Sequence, residues 1–197
     1  MTEESKIGTT FKIPISLDTP DVRVLEPRIE TYPNAEFDNP VLFDVIRKEA
    51  TKSVNGGGLR THMFTESDLP ELQRLIEWLE RRSFWMVDYF ASNTASAYNQ
   101  TPDHTKKFKV SQFWGMYYPA RGGACIHNHY PVALNCCYYI NAPEGCAPLI
   151  VNGKEIKVES GMMIAFPGHW PHEVPQSSDV DGRCMINFDI LYYPDEF

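Results

Sequence analysis

Apolar residues recur at helical spacing in one long segment. After Ser67-Asp68-Leu69-Pro70 the apolar positions are Leu72, Leu75, Ile76, Leu79, Met86 and Phe90. Charged residues such as Glu71 and Arg74 lie between them. Residues three and four apart share one face of a helix, so this segment is predicted to be an amphipathic helix that packs on a core. An earlier helix is predicted with Asn39 as its N-cap and Pro40 at its first position.

The N-terminal region has a different pattern. Residues 11–17 alternate apolar and polar side chains, which predicts a strand, and Pro14 within it favours an edge position. A second short strand is predicted over residues 22–25. The run Asn55-Gly56-Gly57-Gly58 predicts a turn between the two helices. It does not resemble a phosphate-binding loop, because no strand precedes it and no Lys-Ser/Thr pair follows it.

From Phe108 onward, short apolar or aromatic runs alternate with Pro, Gly and Asn. Six runs have strand length: 112–118, 136–140, 149–151, 155–158, 162–166 and 185–190. Short strands at this spacing are typical of an antiparallel barrel or sandwich. We therefore expect an α+β, mainly β fold in a single domain over residues 1–197. Residues 1–107 would supply strands and helices that buttress a β core formed by residues 108–197.

Charge and composition argue against several classes of function. The formal net charge of −8 argues against binding to a nucleic-acid backbone, which requires clustered Lys and Arg. No apolar run approaches the roughly 18 residues of a membrane span, and the N-terminus has no apolar signal core. The five cysteines are odd in number and include an adjacent pair, Cys136 and Cys137. This usage fits a reduced, cytoplasmic protein better than a disulfide framework.

Four of the six histidines fall between positions 127 and 172. His127 and His129 are two residues apart, so in a strand both would point to the same side. His172 follows a strand-like run and a turn, and a barrel could bring it opposite that pair. His169, in the same turn, could replace it. Imidazole is a common ligand of Fe, Zn, Cu and Ni. We therefore predict a metal site at His127, His129 and His172, against the alternative of hydrogen-bonded histidines without metal.

Several segments between residues 112 and 190 match a known family in order and spacing. They are Trp114 to Tyr117, His127 to His129, Cys137 to Asn141, Gly161 to Pro167, His172 to Val174, and Gly182 with Arg183. Together they resemble the double-stranded β-helix, or jelly-roll, core of the 2-oxoglutarate/Fe(II)-dependent oxygenases. The resemblance is to the prolyl-hydroxylase-like branch, and within it to a group of small bacterial and phage members.

This resemblance implies roles for particular residues. His127 and His172 would bind Fe(II), and Arg183 would bind the remote carboxylate of 2-oxoglutarate, since guanidinium matches a carboxylate bidentately. Tyr139 and Tyr117 would contact the same cosubstrate. The family usually has Asp two residues after the first histidine, whereas this chain has His129. His129 would then be the third ligand, or it would lie behind a ligating water.

The implied reaction is oxidation of a second substrate by O₂, coupled to decarboxylation of 2-oxoglutarate. The substrate would be a protein side chain or a small molecule, and residues 27–39 and 97–107 are candidate specificity loops. Two alternatives stay open. One is a cupin-type three-histidine metal enzyme that does not use 2-oxoglutarate; the other is a metal-binding module without catalysis, such as a phage accessory protein. A phage origin would make the cytoplasm that of an infected host cell.

Overall fold

The structure is a computed structural model that describes residues 25–65, 69–95 and 107–193. The strand predicted over residues 11–17, and all but the last residue of that predicted over 22–25, lie outside these residues. Ser67 and Asp68 ahead of the long helix, and nearly all of the candidate loop 97–107, lie outside them too.

The described residues form two helices and eleven strands. In chain order these are β1 (Arg28–Thr31), α1 (Ala35–Glu49), β2 (Lys52–Ser53), β3 (Leu59–Met63), α2 (Pro70–Ala95), β4 (Lys107–Tyr118), β5 (Ala124–His127), β6 (Leu134–Asn141), β7 (Leu149–Val151), β8 (Lys154–Ile156), β9 (Met162–Pro167), β10 (His172–Val174) and β11 (Arg183–Tyr193). Neither helix, within these residues, is both long and apolar enough to cross a membrane.

The strands form two sheets whose named pairs are all antiparallel. The larger sheet has the order β1-β9-β6-β11-β4-β3-β2, and the smaller one has the order β5-β10-β7-β8. One apolar cluster joins their inner faces, with Tyr139 and Met185 from the larger sheet and Leu149 and Val174 from the smaller. This arrangement confirms the predicted mainly β jelly roll.

Strand β6 shows why its sequence is apolar throughout. Leu134, Cys136, Tyr138 and Ile140 belong to the cluster formed with the helices. Cys137 and Tyr139 belong to the cluster between the sheets. Successive side chains of a strand point to opposite faces, so a central strand covered on both sides is buried at nearly every position. The helices thus cover the outer face of the larger sheet and leave its inner face to the site.

The long helix α2 agrees with its predicted pattern. The apolar positions that define the stripe are all buried in the cluster against the larger sheet: Leu72, Leu75, Ile76, Leu79, Met86 and Phe90. The prediction of an amphipathic helix over this segment is confirmed.

The predicted start of α1 was wrong. The helix begins at Ala35, so Pro40 lies inside it. Asn39 does not cap the helix: its side chain donates to Ile140 O at 2.9 Å and accepts from the Tyr138 hydroxyl at 2.5 Å. Pro40 lacks the N–H that would bond the Glu36 carbonyl. Glu36 and Pro40 are both exposed, so water can bond the Glu36 carbonyl and the helix continues past the proline.

Five strands were not among the six predicted runs. β1 lies in the 27–39 stretch that was assigned to a loop, and β2 and β3 flank the glycine turn at 55–58. β5 and β10 have four and three residues. Strands this short have little pattern of their own and form because a neighbouring strand pairs with them.

Candidate metal centre

Three histidines converge in the space between the sheets: His127 and His129, which are two residues apart, and His172, which is distant in sequence. His127 ends β5 and His172 begins β10, and the two are direct partners in the antiparallel pairing of these strands. Their ring centroids lie 4.3 Å apart. The ring of His129 lies 5.2 Å from that of His127 and 5.1 Å from that of His172. One nitrogen from each ring lies within 4.8 Å of the other two, so the group could hold a metal ion.

His129 reaches this cluster by a different route from the one predicted. β5 ends at His127, so His129 lies beyond the strand and strand alternation does not orient it. Instead its backbone N–H donates to Gly168 O at 2.7 Å, and its carbonyl accepts from the Val132 N–H at 2.9 Å. A Cβ on Gly168 would lie 2.4 Å from Val132 O. Glycine at 168 therefore allows the His129 loop to lie against the turn that precedes His172.

Each ring has its Nδ1 atom next to an oxygen. His127 Nδ1 lies 2.8 Å from Cys125 O, and His172 Nδ1 lies 3.3 Å from Trp170 O. His129 Nδ1 lies 2.6 Å from Asp189 Oδ1. A carbonyl or carboxylate oxygen only accepts hydrogen bonds, so each Nδ1 is the protonated donor. In the neutral ring this leaves the lone pair on Nε2, which is the atom available to a metal.

The pKa values of two of the rings favour the ligating form. Burial, followed by the neighbouring His127 and His129, lowers the pKa of His172 to about 3. Desolvation by the surrounding wall also lowers the pKa of His127. Both rings are therefore neutral at neutral pH, which is the form that binds a metal.

Aromatic side chains pack against two of the rings. The indole of Trp114 stacks on His129 with the ring centroids 5.6 Å apart and the planes 19° apart. Phe166 meets His172 edge-on at 4.9 Å. These contacts restrict rotation of the His129 and His172 rings, so the orientation of these two rings is set by packing as well as by hydrogen bonds.

A buried polar group lies behind His129 that the sequence analysis did not single out. It consists of Asp189, Asn187 and Asn135, which face the same interior. Residues 183, 185, 187 and 189 lie on one face of β11 by strand alternation. If Arg183 faces the interior, strand alternation predicts that Asp189 faces the interior too. A carboxylate on the same face of β11 as Arg183 and Asn187 was the signal available in the sequence.

Arg183 lies deeper between the sheets, and only 1% of its surface is exposed. Its guanidinium carbon is 4.5 Å from the centre of the Tyr118 ring and 5.1 Å from that of Tyr139. Nη2 donates to the Tyr139 hydroxyl at 3.3 Å. Among the described residues, Nε and Nη1 are buried without a hydrogen-bond partner, and no carboxylate pairs with the group. A buried guanidinium without a carboxylate partner is costly, so this site favours an anion.

Tyr117 does not lie in this group, contrary to the role expected for it. Its hydroxyl donates to the Asp181 carboxylate at 3.1 Å, and its ring packs against Phe43 of α1. Because neighbouring residues of a strand point to opposite faces, Tyr118 is the tyrosine of β4 that meets Arg183. Burial raises the pKa of Tyr118 and of Tyr139, so both phenols stay protonated and can donate hydrogen bonds.

Of the two histidines near the turn, the structure brings His172 and not His169 to the cluster. His169 is exposed and lies outside the group of three. His172, by contrast, is 5% exposed.

A cavity of about 690 Å³ opens beside the three histidines. The three histidines and Asp189 line one part of it, and Tyr118, Cys137 and Met185 line another. Arg183 and Tyr139 are not among the lining residues. Arg183 therefore lies directly behind the wall that Tyr118 forms. The exposed side chains of Ile126 and Tyr130 lie at the rim.

Solved structures similar to this chain are prolyl hydroxylases and an AlkB homologue. A Pseudomonas putida prolyl-4-hydroxylase is 13% identical with a TM-score of 0.55, over 89% of this chain and 96% of that one. The viral collagen prolyl hydroxylase of Paramecium bursaria Chlorella virus-1, solved with 2-oxoglutarate, is 14% identical with a TM-score of 0.55, over 82% and 94%. OsALKBH1 is 11% identical with a TM-score of 0.51, over 84% and 99%.

This chain has the fold of the 2-oxoglutarate/Fe(II) oxygenases. At these identities the likeness concerns the fold. No protein-family model matches the chain, and no curated protein matches it in sequence.

Within this oxygenase fold, the chemistry of the donor set fits a divalent transition metal. Three imidazoles with free Nε2 atoms suit iron, zinc, copper or nickel. All three rings meet the cavity, so a bound ion would face the space in which small molecules can be held. The set lacks the carboxylate of a two-histidine, one-carboxylate site.

Proposed function

We propose that this protein is a 2-oxoglutarate- and Fe(II)-dependent dioxygenase. The observation that carries the proposal is Arg183, a fully buried guanidinium with two unpaired nitrogens behind the cavity that holds three histidines. A buried cation without a carboxylate partner is stabilised by a small anion that reaches it. 2-Oxoglutarate, the cosubstrate of the oxygenases with this fold, has a carboxylate at each end and can supply such an anion.

In this proposal His127, His129 and His172 hold the iron through Nε2. Bound Fe(II) would supply the redox chemistry that couples decarboxylation of 2-oxoglutarate to oxidation of a second substrate by O₂. Arg183 binds the remote carboxylate of 2-oxoglutarate, and Tyr139 orients the guanidinium through the 3.3 Å hydrogen bond. Tyr118 forms the wall between the cavity and Arg183, so its ring moves aside when the carboxylate is bound.

The apolar wall of the cavity keeps water away from the cosubstrate. Met116, Cys137 and Met185 are buried apolar residues on the inner face of the larger sheet. They limit the access of water to the carbon chain of the cosubstrate, which protects the reaction from side processes. The second substrate enters over the rim at Ile126 and Tyr130. We propose that it is a protein side chain or a small molecule.

The state of the cysteines bears on where the protein works. All five are free thiols, and Cys136 and Cys137 are adjacent and both buried. Free cysteines are usual in a reducing compartment. We therefore propose a cytoplasmic enzyme.

The test is an anaerobic titration of the Fe(II)-loaded protein with 2-oxoglutarate, followed by visible absorption. Chelation of the keto acid to iron should produce a charge-transfer band, and Arg183→Met should weaken the binding that produces it. The matched control is Arg121→Met, because Arg121 is exposed and pairs with Asp179 outside the cavity. Formation of succinate from 2-oxoglutarate in air then measures turnover. Iron binding without any spectral response to 2-oxoglutarate would contradict the proposal.

A second candidate is a three-histidine metal enzyme that does not use 2-oxoglutarate. The donor set itself favours it, since no carboxylate belongs to the described cluster. The same titration separates the two. This candidate predicts tight metal binding, no response to 2-oxoglutarate, and no effect of Arg183→Met on the metal.

A further inference from the structure

We propose that Asp189 is a positioning residue that orients His129 and supplies the negative charge that the three-histidine set lacks. The proposal rests on the metal site of the proposed function, but not on 2-oxoglutarate. Its starting point is the 2.6 Å contact between His129 Nδ1 and Asp189 Oδ1. The two side chains are only 8% and 11% exposed.

The contact distinguishes His129 from the other two rings. His127 and His172 direct Nδ1 at backbone carbonyl oxygens, at 2.8 Å and 3.3 Å. His129 alone among the three directs Nδ1 at a carboxylate, and at the shortest distance. A hydrogen bond to a carboxylate is roughly twice as strong as one to a neutral acceptor. His129 is therefore the most firmly oriented of the three rings. It is also the ring whose electron density the Asp189 carboxylate raises most.

The carboxylate is itself held from two sides. Asn135 is the register partner of Asp189 on β6, and its amide donates to Asp189 Oδ1 at 3.0 Å. The amide of Asn187 approaches the same oxygen at 3.2 Å. The amide of Asn135 also lies 2.8 Å from His129 Nδ1. Two donors cannot bond each other, so we assign the amide hydrogens to Asn187 Oδ1 and Asp189 Oδ1, and the imidazole hydrogen to Asp189.

This arrangement bears on the charge of the metal site. A site with two histidines and one carboxylate places one negative charge on the metal directly. Here the three donors are imidazoles, and the carboxylate lies one hydrogen bond further out, on His129. An acceptor carboxylate on the far nitrogen raises the basicity of a ligating imidazole. This chain has His129 where the oxygenase family usually has an aspartate ligand. Asp189 supplies the missing negative charge to the metal site through its hydrogen bond with His129.

The purely structural alternative is a buried ion pair or polar cluster that only stabilises the fold. It predicts effects of Asp189 on unfolding, and none on the metal beyond them. Metal affinity and the spectrum of a bound ion are the readouts that separate the two. Both can be measured without turnover.

The first experiment compares Asp189→Asn with the wild type by anaerobic titration with Fe(II), and by the visible absorption of the Co(II)-loaded protein. The amide is nearly isosteric with the carboxylate but carries no charge. We expect a metal affinity about 10- to 100-fold lower and a shifted Co(II) spectrum. Asp179→Asn is the matched control, because it is the same change at an exposed residue that pairs with Arg121. Equal affinity and spectrum for wild type and Asp189→Asn would overturn the proposal.

A double-mutant comparison gives a second, independent test. Replacing His129 by Asp removes the imidazole through which Asp189 acts on the metal. Asp189→Asn should therefore lower Fe(II) affinity much less in the His129→Asp background than in the wild type, where we expect a loss of about 10- to 100-fold. An equal loss in both backgrounds would contradict the assigned role.

Circular dichroism checks folding. If Asp189→Asn does not fold, Asp189→Glu, which keeps the charge but moves it by one methylene, takes its place in both comparisons. The outcomes also separate this proposal from the proposed function. If the wild type binds Fe(II) and Co(II) but 2-oxoglutarate has no effect, the dioxygenase is rejected and Asp189 is still tested by affinity. If the wild type binds neither ion, both proposals are rejected.

Discussion

His127 and His172 are direct partners across the short antiparallel pairing of β5 and β10, although they are far apart in sequence. The pairing fixes the backbone of both residues, and their rings lie 4.3 Å apart. His129 then approaches from a loop that is bonded to the turn at Gly168. Two of the three candidate ligands are thus fixed by one strand pair, and the third by a loop and a hydrogen-bonded carboxylate.

Removing either paired histidine should abolish high-affinity metal binding. His127→Ala and His172→Ala each remove one of three donors, so the loss should exceed the roughly 10- to 100-fold effect of losing an outer partner. Isothermal titration with Fe(II) or Co(II) measures it. His169→Ala is the matched control, since His169 is exposed in the adjoining turn. A comparable loss in that control would place the metal elsewhere.

The sequence was sufficient to predict which histidines come together, but not which strands and loops bring them together. The spacing of His127 and His129 suggested one strand face, whereas only His127 is in a strand. β5 forms by pairing with β10, and β10 forms by pairing with both β5 and β7. No local pattern in three or four residues carries that information. The long α2 was predictable because its stripe is repeated over many turns.

Two other residues show where a one-residue shift matters. Tyr117 and Tyr118 are adjacent aromatics, and sequence spacing alone could not decide which of them faces Arg183. The register of β4 with β11, in which Arg183 opposes Tyr118, decides it.

Asn39 before Pro40 has the sequence of a helix cap, but its side chain bonds β6 instead. Such tertiary contacts override local preference.

The buried histidine should make the metal-free protein sensitive to acid. Burial first, and then His127 and His129, lower the folded-state pKa of His172 from 6.5 to about 3. The unfolded chain binds the proton first, so stability present above about pH 6.5 is lost as the pH falls towards 3. At pH 5 the loss from His172 alone is about 2 kcal/mol.

Urea unfolding in a chelator at pH 7.5 and pH 5 measures this difference. His172→Gln should reduce the loss of stability between the two pH values, because glutamine takes up no proton. An unchanged pH dependence in His172→Gln would show that other groups account for it.

Arg183 should lower the stability of the protein when no anion is bound. Arg183→Met removes a buried guanidinium with two unpaired nitrogens and keeps a chain of similar length. We expect the free energy of unfolding in urea to rise by about 1 kcal/mol or more, since replacing buried charge by apolar volume is often stabilising. Arg74→Met is the contrasting control and should destabilise, because it removes the cation that lies 2.6 Å from the buried carboxylate of Asp38 and leaves that charge with the Tyr32 hydroxyl. If Arg183→Met destabilises as Arg74→Met does, the guanidinium has a structural partner and the anion-site interpretation fails.

The cysteines should differ sharply in reactivity in the native protein. Burial raises the pKa of Cys137 to about 12 and also raises those of Cys136 and Cys184. A group with a pKa near 12 has only about one thiolate in 10⁴ molecules at pH 8, and the thiolate is the nucleophile. Iodoacetamide at pH 8 should therefore label the exposed Cys125 well before these three, as followed by mass spectrometry of the peptides. In urea all of them should react at similar rates. Rapid labelling of Cys137 in the folded protein would mean that the cavity wall between the histidines and Arg183 opens readily, and a bound 2-oxoglutarate should then slow that labelling.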